Sequence, residues 1–120
     1  MNTDTALPRL IWACVLTVVL TCSGVVVAGG MSGVQQIDIL KVGPNGLVAI
    51  SGIDGDWANP DACDRSEWLA LSPDHPFYRE LYALMLTAKT TLADAEFYLY
   101  GCIVHVNGVM VPEIKSVRLQ

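Results

Sequence analysis

The uncharged run from Leu10 to Gly29 limits how much of this chain can fold into a water-soluble domain. It follows Arg9 and ends in small residues, and a cationic start, an apolar middle and a small-residue end are typical of a secretory signal. Val26 and Ala28 occupy the small-residue positions, which predicts cleavage near Gly29. We therefore expect the chain to divide as follows: a signal segment over 1–28, a short polar linker over 29–35 and one domain over 36–120.

Two other interpretations of the apolar run remain open. About twenty apolar residues are enough to span a bilayer, so the run could be an uncleaved membrane anchor, and Asp4 weakens the positive start of a signal. The run could also carry a lipidated Cys22, although Thr21 is a poor fit to the small residue expected before it. The chain is therefore predicted to be exported, either periplasmic or secreted, or else held at the inner membrane by its first segment.

The two cysteines that follow the apolar run predict a disulfide. About 90 residues follow residue 28, which is enough for one domain, and a domain of that size buries only about 60% of its unfolded surface. Cys14 and Cys22 lie in the signal segment, whereas Cys63 and Cys102 remain and should pair in an oxidising compartment. In the chain-entropy model, closing a loop of about 40 residues stabilises a fold by about 4 kcal/mol.

The chain is acidic, with a formal net charge of −5. Its few basic residues are scattered, so no basic stripe offsets the negative charge. This balance disfavours phosphate backbones and anionic membrane surfaces as partners. Nucleic acid is therefore not among the predicted partners, and a membrane is a partner only if the first segment is retained.

Three strand-like segments open the predicted domain. Residues 36–42 and 47–51 place apolar side chains in strand fashion, and Gly43-Pro44-Asn45-Gly46 between them is turn chemistry, so the two segments predict a hairpin. A polar loop follows over 52–64. Residues 67–71 then predict a short third strand.

One helix is predicted after the third strand. Ser72 or Asp74 could cap its start, and Pro76 is tolerated in a first turn. The apolar residues beyond it recur at intervals of three and four, which places them on one helical face. They are Phe77, Leu81, Leu84, Met85, Ala88 and Leu92.

Two further strands complete the order of elements. Residues 95–100 alternate, with Phe97 and Leu99 predicted to point inward. A turn at Asn107-Gly108 leads to a last strand over 112–119, whose uneven apolar spacing predicts a bulge. A mainly β chain with one helix, in the order β-β-β-α-β-β, is typical of a small five-stranded OB-fold-like barrel.

Three local segments carry a family resemblance: 57–63 (WANPDAC), 81–88 (LYALMLTA) and 97–102 (FYLYGC). On these segments the chain resembles uncharacterised exported bacterial proteins of about 100 residues. It also resembles, more distantly, the binding (B) subunit of subtilase-type AB5 toxins. The resemblance implies an OB-fold with a disulfide, assembly as a homo-oligomeric ring and binding of cell-surface glycan, but no individual glycan-contact residue has a local match here.

Aromatic residues are the candidate ligand contacts. Trp57 lies in a polar loop, where its ring could stack on a sugar or pack in the core, whereas Trp68 is expected to pack in the core. Tyr98 and Tyr100 should point away from the core, and aromatic residues are enriched at interfaces. We therefore predict Trp57, Tyr98 and Tyr100 as ligand-binding residues.

The polar loop is also a weak candidate for a metal site. Asp54, Asp56 and Asp61 could offer oxygen ligands to calcium, but their spacing does not match the EF-hand loop, and a solvated turn-forming loop is the favoured explanation. His75 and His105 complete no catalytic pattern. The sequence thus predicts no cofactor and no enzymatic activity.

Taken together, these patterns favour a non-catalytic, disulfide-stabilised binding or interaction module that is secreted or periplasmic. Its predicted partner is a glycan or a protein. The alternative is a membrane-anchored structural or accessory protein of the cell envelope, which requires that the segment over 1–28 is retained.

Overall fold

The computed structural model describes residues 28–120. The predicted signal segment and its alternatives as an anchor or a lipidated segment lie outside these residues, except for Ala28. Within residues 28–120, no helix has the length and apolar content needed to cross a bilayer.

Five strands and one helix make up the described part of the chain. Their bounds are Gly30–Val42 for β1, Val48–Gly52 for β2, Trp68–Leu71 for β3, Tyr78–Thr91 for α1, Asp94–Val104 for β4 and Met110–Leu119 for β5. The strands pair in the order β1-β2-β3-β5-β4, and β4 also pairs with β1, so the sheet closes into a ring. Within residues 28–120 all these pairs are antiparallel except β3 with β5. The prediction of a mainly β chain with one helix after the third strand is confirmed.

The predicted polar linker over 29–35 is wrong, because most of it is the first half of β1. Gly30 pairs with Leu99 of β4, and Gln35 pairs with Ala95. The polar side chains that suggested a linker are buried and bind backbone groups instead of water. The Ser32 hydroxyl accepts a hydrogen bond from the Phe97 N–H at 2.9 Å, and the Gln35 amide accepts one from the Asp54 N–H at 2.8 Å.

The ring of strands surrounds an apolar core that α1 covers. Phe97 and Leu99 point inward and are fully buried, as predicted. On α1, Leu81, Met85 and Ala88 are buried against the strands and form the core-facing stripe. Other members of the predicted stripe are exposed, namely Phe77, Leu84 and Leu92. The core-facing stripe of α1 is therefore narrower than the sequence pattern indicates.

The start of α1 also differs from the prediction. The helix begins at Tyr78, its N-cap is Phe77, and no side chain caps it. His75 instead fixes the preceding turn, because its Nδ1 accepts a hydrogen bond from the Phe77 N–H at 3.0 Å. Its Nε2 must then carry the proton, which it donates to the carbonyl oxygen of Lys115 in β5 at 3.0 Å.

The predicted turns and the predicted bulge are confirmed. Gly46 closes the β1–β2 turn by donating its N–H to the carbonyl oxygen of Gly43. Asn107 and Gly108 both have positive φ, as the two central residues of a type I′ hairpin turn require. The β4–β5 register shifts between Tyr98 and Leu99.

Candidate functional site

The disulfide between Cys63 and Cys102 is present, as predicted, with their Cα atoms 5.7 Å apart. It ties the loop between β2 and β3 to the last part of β4. Asn59 shapes the loop around it, because its side chain accepts a hydrogen bond from the Cys63 N–H at 2.8 Å and donates one to the Cys63 carbonyl at 2.9 Å. The two sulfur atoms are bonded to each other, so neither is available as a thiolate.

The prediction that Trp57 contacts a ligand is wrong. Its side chain is only 3% exposed and packs edge-to-face on Phe97, with ring centroids 5.4 Å apart. The loop between β2 and β3 folds inward at this point, which adds the indole ring to the core. Its Nε1 has no hydrogen-bond partner within the part of the chain that is described. Trp57 is therefore a packing residue that cannot stack on a sugar at the surface.

The two predicted tyrosines lie on the outer surface of β4, apart from Trp57. Tyr98 is 37% exposed and Tyr100 is 46% exposed. Tyr98 pairs across the sheet with Met31 of β1, whose side chain is also exposed. Both tyrosines also approach the backbone of Gly29, where β1 begins. Their outward direction agrees with the prediction, and a ligand-binding role for them stays a prediction.

The three aspartates of the polar loop are not brought together as a metal site. Among residues 28–120, no group of three or more His, Cys, Asp or Glu side chains is placed to hold an ion. Asp54 and Asp56 are exposed, whereas Asp61 turns towards the backbone. Hydrogen bonds from the Gly101, Gly29 and Ala28 N–H groups hold the pKa of the Asp61 carboxyl below its usual range, although partial burial raises it. The weak metal prediction is therefore corrected, since Asp61 binds peptide groups.

A groove on the outside of the ring gathers a different set of side chains. The Lys41 Nζ lies 4.2 Å from the centre of the Trp68 ring, which is a cation–π contact. The His105 ring lies on the same tryptophan, with centroids 5.5 Å apart and planes tilted by 38°. This cluster of Lys41, Trp68 and His105, which we call the Trp68 cluster, lines a groove of about 290 Å³.

The sheet register explains why these three side chains meet. Lys41 of β1 pairs with Ala49 of β2, and Ala49 pairs with Ala70 of β3. Because both alanines are small, the long Lys41 side chain has room to extend over β2 towards Trp68 at the start of β3. His105 arrives from the β4–β5 turn. A second hollow of about 250 Å³, next to the β1–β2 turn, is also lined by Lys41 and His105.

The charges around the groove are unevenly compensated. Arg65 and Glu67 form an ion pair with a distance of 2.5 Å between them, whereas Lys41 has no ion pair within residues 28–120. Partial burial lowers the pKa of His105, and the positive charge of Lys41 lowers it further. His105 is therefore neutral at pH 7, and its Nδ1 is buried without a partner among the described residues. The groove thus presents one uncompensated cation beside an aromatic ring.

The structure decides between the two roles that the sequence leaves open for Trp57, because this residue is buried. Trp68, which is expected to pack in the core, is only partly buried and packs against the smaller apolar cluster of Leu47, Ala70 and Val111. One available signal was the alternation in β3: Leu69 and Leu71 point inward, which places Trp68 on the opposite face. Lys41 and His105 carried no local signal, because only the sheet register and the β4–β5 turn place them beside Trp68.

No protein-family model, curated protein or solved structure matches this chain.

Proposed function

We propose that this chain is an exported, non-catalytic binding module built on an OB-fold-like barrel. The strand order β1-β2-β3-β5-β4, the closing β4–β1 pair and a helix between the third and fourth strands support that assignment. The Cys63–Cys102 bond supports export, because disulfides persist mainly in oxidising compartments.

The ligand contacts the Trp68 cluster. OB-folds bind oligosaccharides and oligonucleotides on the face of strands 2 and 3, between the loop that joins strands 1 and 2 and the loop that joins strands 4 and 5. In this chain those loops are 43–47 and 105–109, and residues of both line the two hollows that meet at Lys41 and His105. The acidic net charge argues against an oligonucleotide in this position.

The ligand we propose is a glycan that carries an acidic group. The observation that carries this proposal is the uncompensated Lys41 ammonium held 4.2 Å from the Trp68 ring centre. The part of the Trp68 ring that remains accessible offers apolar contact to a sugar ring, and the ammonium offers a charge-assisted hydrogen bond to a carboxylate. The groove beside the Trp68 cluster, with a volume of about 290 Å³, suits one sugar unit better than a folded protein surface.

A glycan array read with the purified protein tests this proposal. Acidic glycans should bind, and Lys41→Gln should weaken them about tenfold, because a hydrogen bond to a charged group contributes about 1.5 kcal/mol or more. Lys89→Gln is the matched control, since Lys89 lies in the last turn of α1, outside the groove. Glycan binding by Tyr98→Ala in the same array tests whether Tyr98 of β4 contacts the ligand, as the sequence predicts. Silence across the array, or equal loss in both lysine variants, would overturn the proposal.

The membrane-anchored alternative and the homo-oligomer each have a direct measurement. Intact mass of the protein recovered from exporting cells distinguishes a cleaved chain from one that keeps residues 1–28. Sedimentation equilibrium gives the number of copies in the assembly. If the array is silent while the protein still associates with another chain in sedimentation, the partner is a protein and not a glycan.

A further inference from the structure

The carboxylate of Asp61 gathers three backbone N–H groups from two distant parts of the chain. One oxygen accepts hydrogen bonds from Ala28 at 2.9 Å and from Gly29 at 3.1 Å. The other oxygen accepts from Gly101 in β4 at 2.7 Å. Asp61 lies two residues before Cys63, so the disulfide fixes its position beside β4. The start of β1 is therefore held by an anion.

Gly29 fits this place because it has no side chain. Its φ is +67°, and an added Cβ would lie 2.8 Å from the Leu99 carbonyl oxygen and 2.8 Å from the Tyr98 hydroxyl. A ring carbon of Tyr100 would be 3.0 Å away. Positive φ is costly for residues that carry a Cβ. The backbone nitrogen of residue 29 is thus held at one defined position against Asp61, and the space around its Cα is filled by Leu99 and the two tyrosines.

We propose that Gly29 is the amino terminus of the mature protein and that Asp61 is the binding site for its ammonium group. This inference rests on the proposed export. A peptidase of the exporting machinery hydrolyses the Ala28–Gly29 peptide bond: water adds across it, Ala28 leaves with a carboxylate, and the Gly29 nitrogen takes up protons as an α-ammonium. The cut replaces a neutral N–H donor with a cationic donor at the same nitrogen.

The consequence of the cut is an ion pair in place of an amide hydrogen bond. The Gly29 nitrogen already lies 3.1 Å from Asp61, and charge-assisted hydrogen bonds are about twice as strong as neutral ones. The hydrogen bond from Ala28 is lost, while that from Gly101 remains. The titratable groups that face the new ammonium are the Asp61 carboxylate and the Tyr98 hydroxyl, whereas Tyr100 presents a ring carbon. The ion pair raises the pKa of the α-amine, because the nearby carboxylate favours its charged form.

The first test identifies the amino-terminal residue of protein that is expressed from the full chain and recovered after export. Amino-terminal sequencing and intact mass should give a chain that starts at Gly29. A start at any other residue would overturn this inference and leave the proposed export intact. A mass that includes residues 1–28 would overturn both, and a silent glycan array would overturn the proposed binding alone.

The second test measures the ion pair itself. Mature protein is compared with the same protein after transamination of its α-amine, which removes the charge and leaves lysines unchanged. The folded-state pKa of the amine is raised, so its stabilisation is complete below the unfolded value of about 8 and is lost as pH rises through the folded value. A rise of about one pKa unit lowers the unfolding equilibrium constant of mature protein about tenfold at pH 7, relative to pH 10, and this dependence should be absent after transamination.

Variants locate the ion pair at Asp61. Asp61→Asn should abolish the difference in pH dependence between the mature and the transaminated protein. Asp56→Asn is the matched control, since Asp56 is an exposed aspartate of the same loop, and it should keep the difference. If Asp61→Asn fails to fold, the comparison of the two unsubstituted forms still decides the question. Identical pH dependence in those two forms would overturn the inference.

Discussion

Removal of the disulfide should cost this domain a large part of its stability. Cys63 and Cys102 are separated by 39 residues. The chain-entropy relation gives about 13 cal/mol/K for a loop of that length, which is about 4 kcal/mol at 25 °C. A domain of about 90 residues has a total free energy of unfolding of about 5–13 kcal/mol. The variant Cys63→Ala/Cys102→Ala should therefore remain marginally folded or unfold.

Urea unfolding followed by circular dichroism measures this loss. The double alanine variant should show a lower midpoint, and reduced wild-type protein should unfold at nearly the same urea concentration, because both lack the bond between the two chain segments. The slope of the transition is compared as well, since a change in slope reports a change in the compactness of the unfolded state. A loss of less than about 1 kcal/mol would refute the reasoning. It would mean that the hydrogen bond from the Gly101 N–H to Asp61 holds the loop to β4 without the covalent bond, while Asn59 keeps the loop in shape around Cys63.

Two further substitutions test the packing and the electrostatics of the domain. Trp57→Ala should lower the free energy of unfolding by about 3–5 kcal/mol, since it removes a buried aromatic ring from contact with Phe97. Trp57→Phe keeps an aromatic ring and should lower the free energy of unfolding clearly less. Equal losses of stability for the two variants in thermal melts would contradict a packing role for Trp57. For His105, burial lowers the folded-state pKa below its usual value of 6.5, so stability should be full above that pH and decline as pH falls below it. His105→Gln should flatten this decline when unfolding midpoints at pH 5 and pH 7.5 are compared, and an unchanged decline would assign it to another group.

Local sequence patterns predicted the elements whose formation depends on neighbouring residues. The turn that ends at Gly46 and the Asn107-Gly108 turn are correct, because turn conformation depends on the backbone preferences of a few adjacent residues. The inward direction of Phe97 and Leu99 is correct, because alternation along a strand fixes which side chains share a face.

Predictions failed where a polar residue is buried by a distant partner. Ser32 and Gln35 read as linker residues, yet both are buried in β1, since each hydrogen-bonds to backbone that lies far away in the sequence. The burial of Trp57 follows from the inward path of the loop between β2 and β3. The sequence around Trp57 contains only polar and small residues and so gives no indication of that path.

The candidate site likewise contains features that the sequence predicts and features that it does not. The sequence indicated that aromatic residues would carry any ligand contact, and it placed Tyr98 and Tyr100 on the outer surface. The Trp68 cluster could not be predicted, because its three members come from β1, β3 and the β4–β5 turn, and contact between them depends on strand register.

By itself, the sequence determined the types of elements, their order, the two turns and the pair of cysteines that bond. These follow from short-range backbone preferences, from periodicity and from the number of cysteines outside the apolar run. Only the tertiary structure decided which of Trp57 and Trp68 is fully buried, that Asp61 binds the backbone at Gly29, and that Lys41 meets Trp68. Each of these depends on strand register or on the path of a long loop, since these bring together side chains that are tens of residues apart in the sequence.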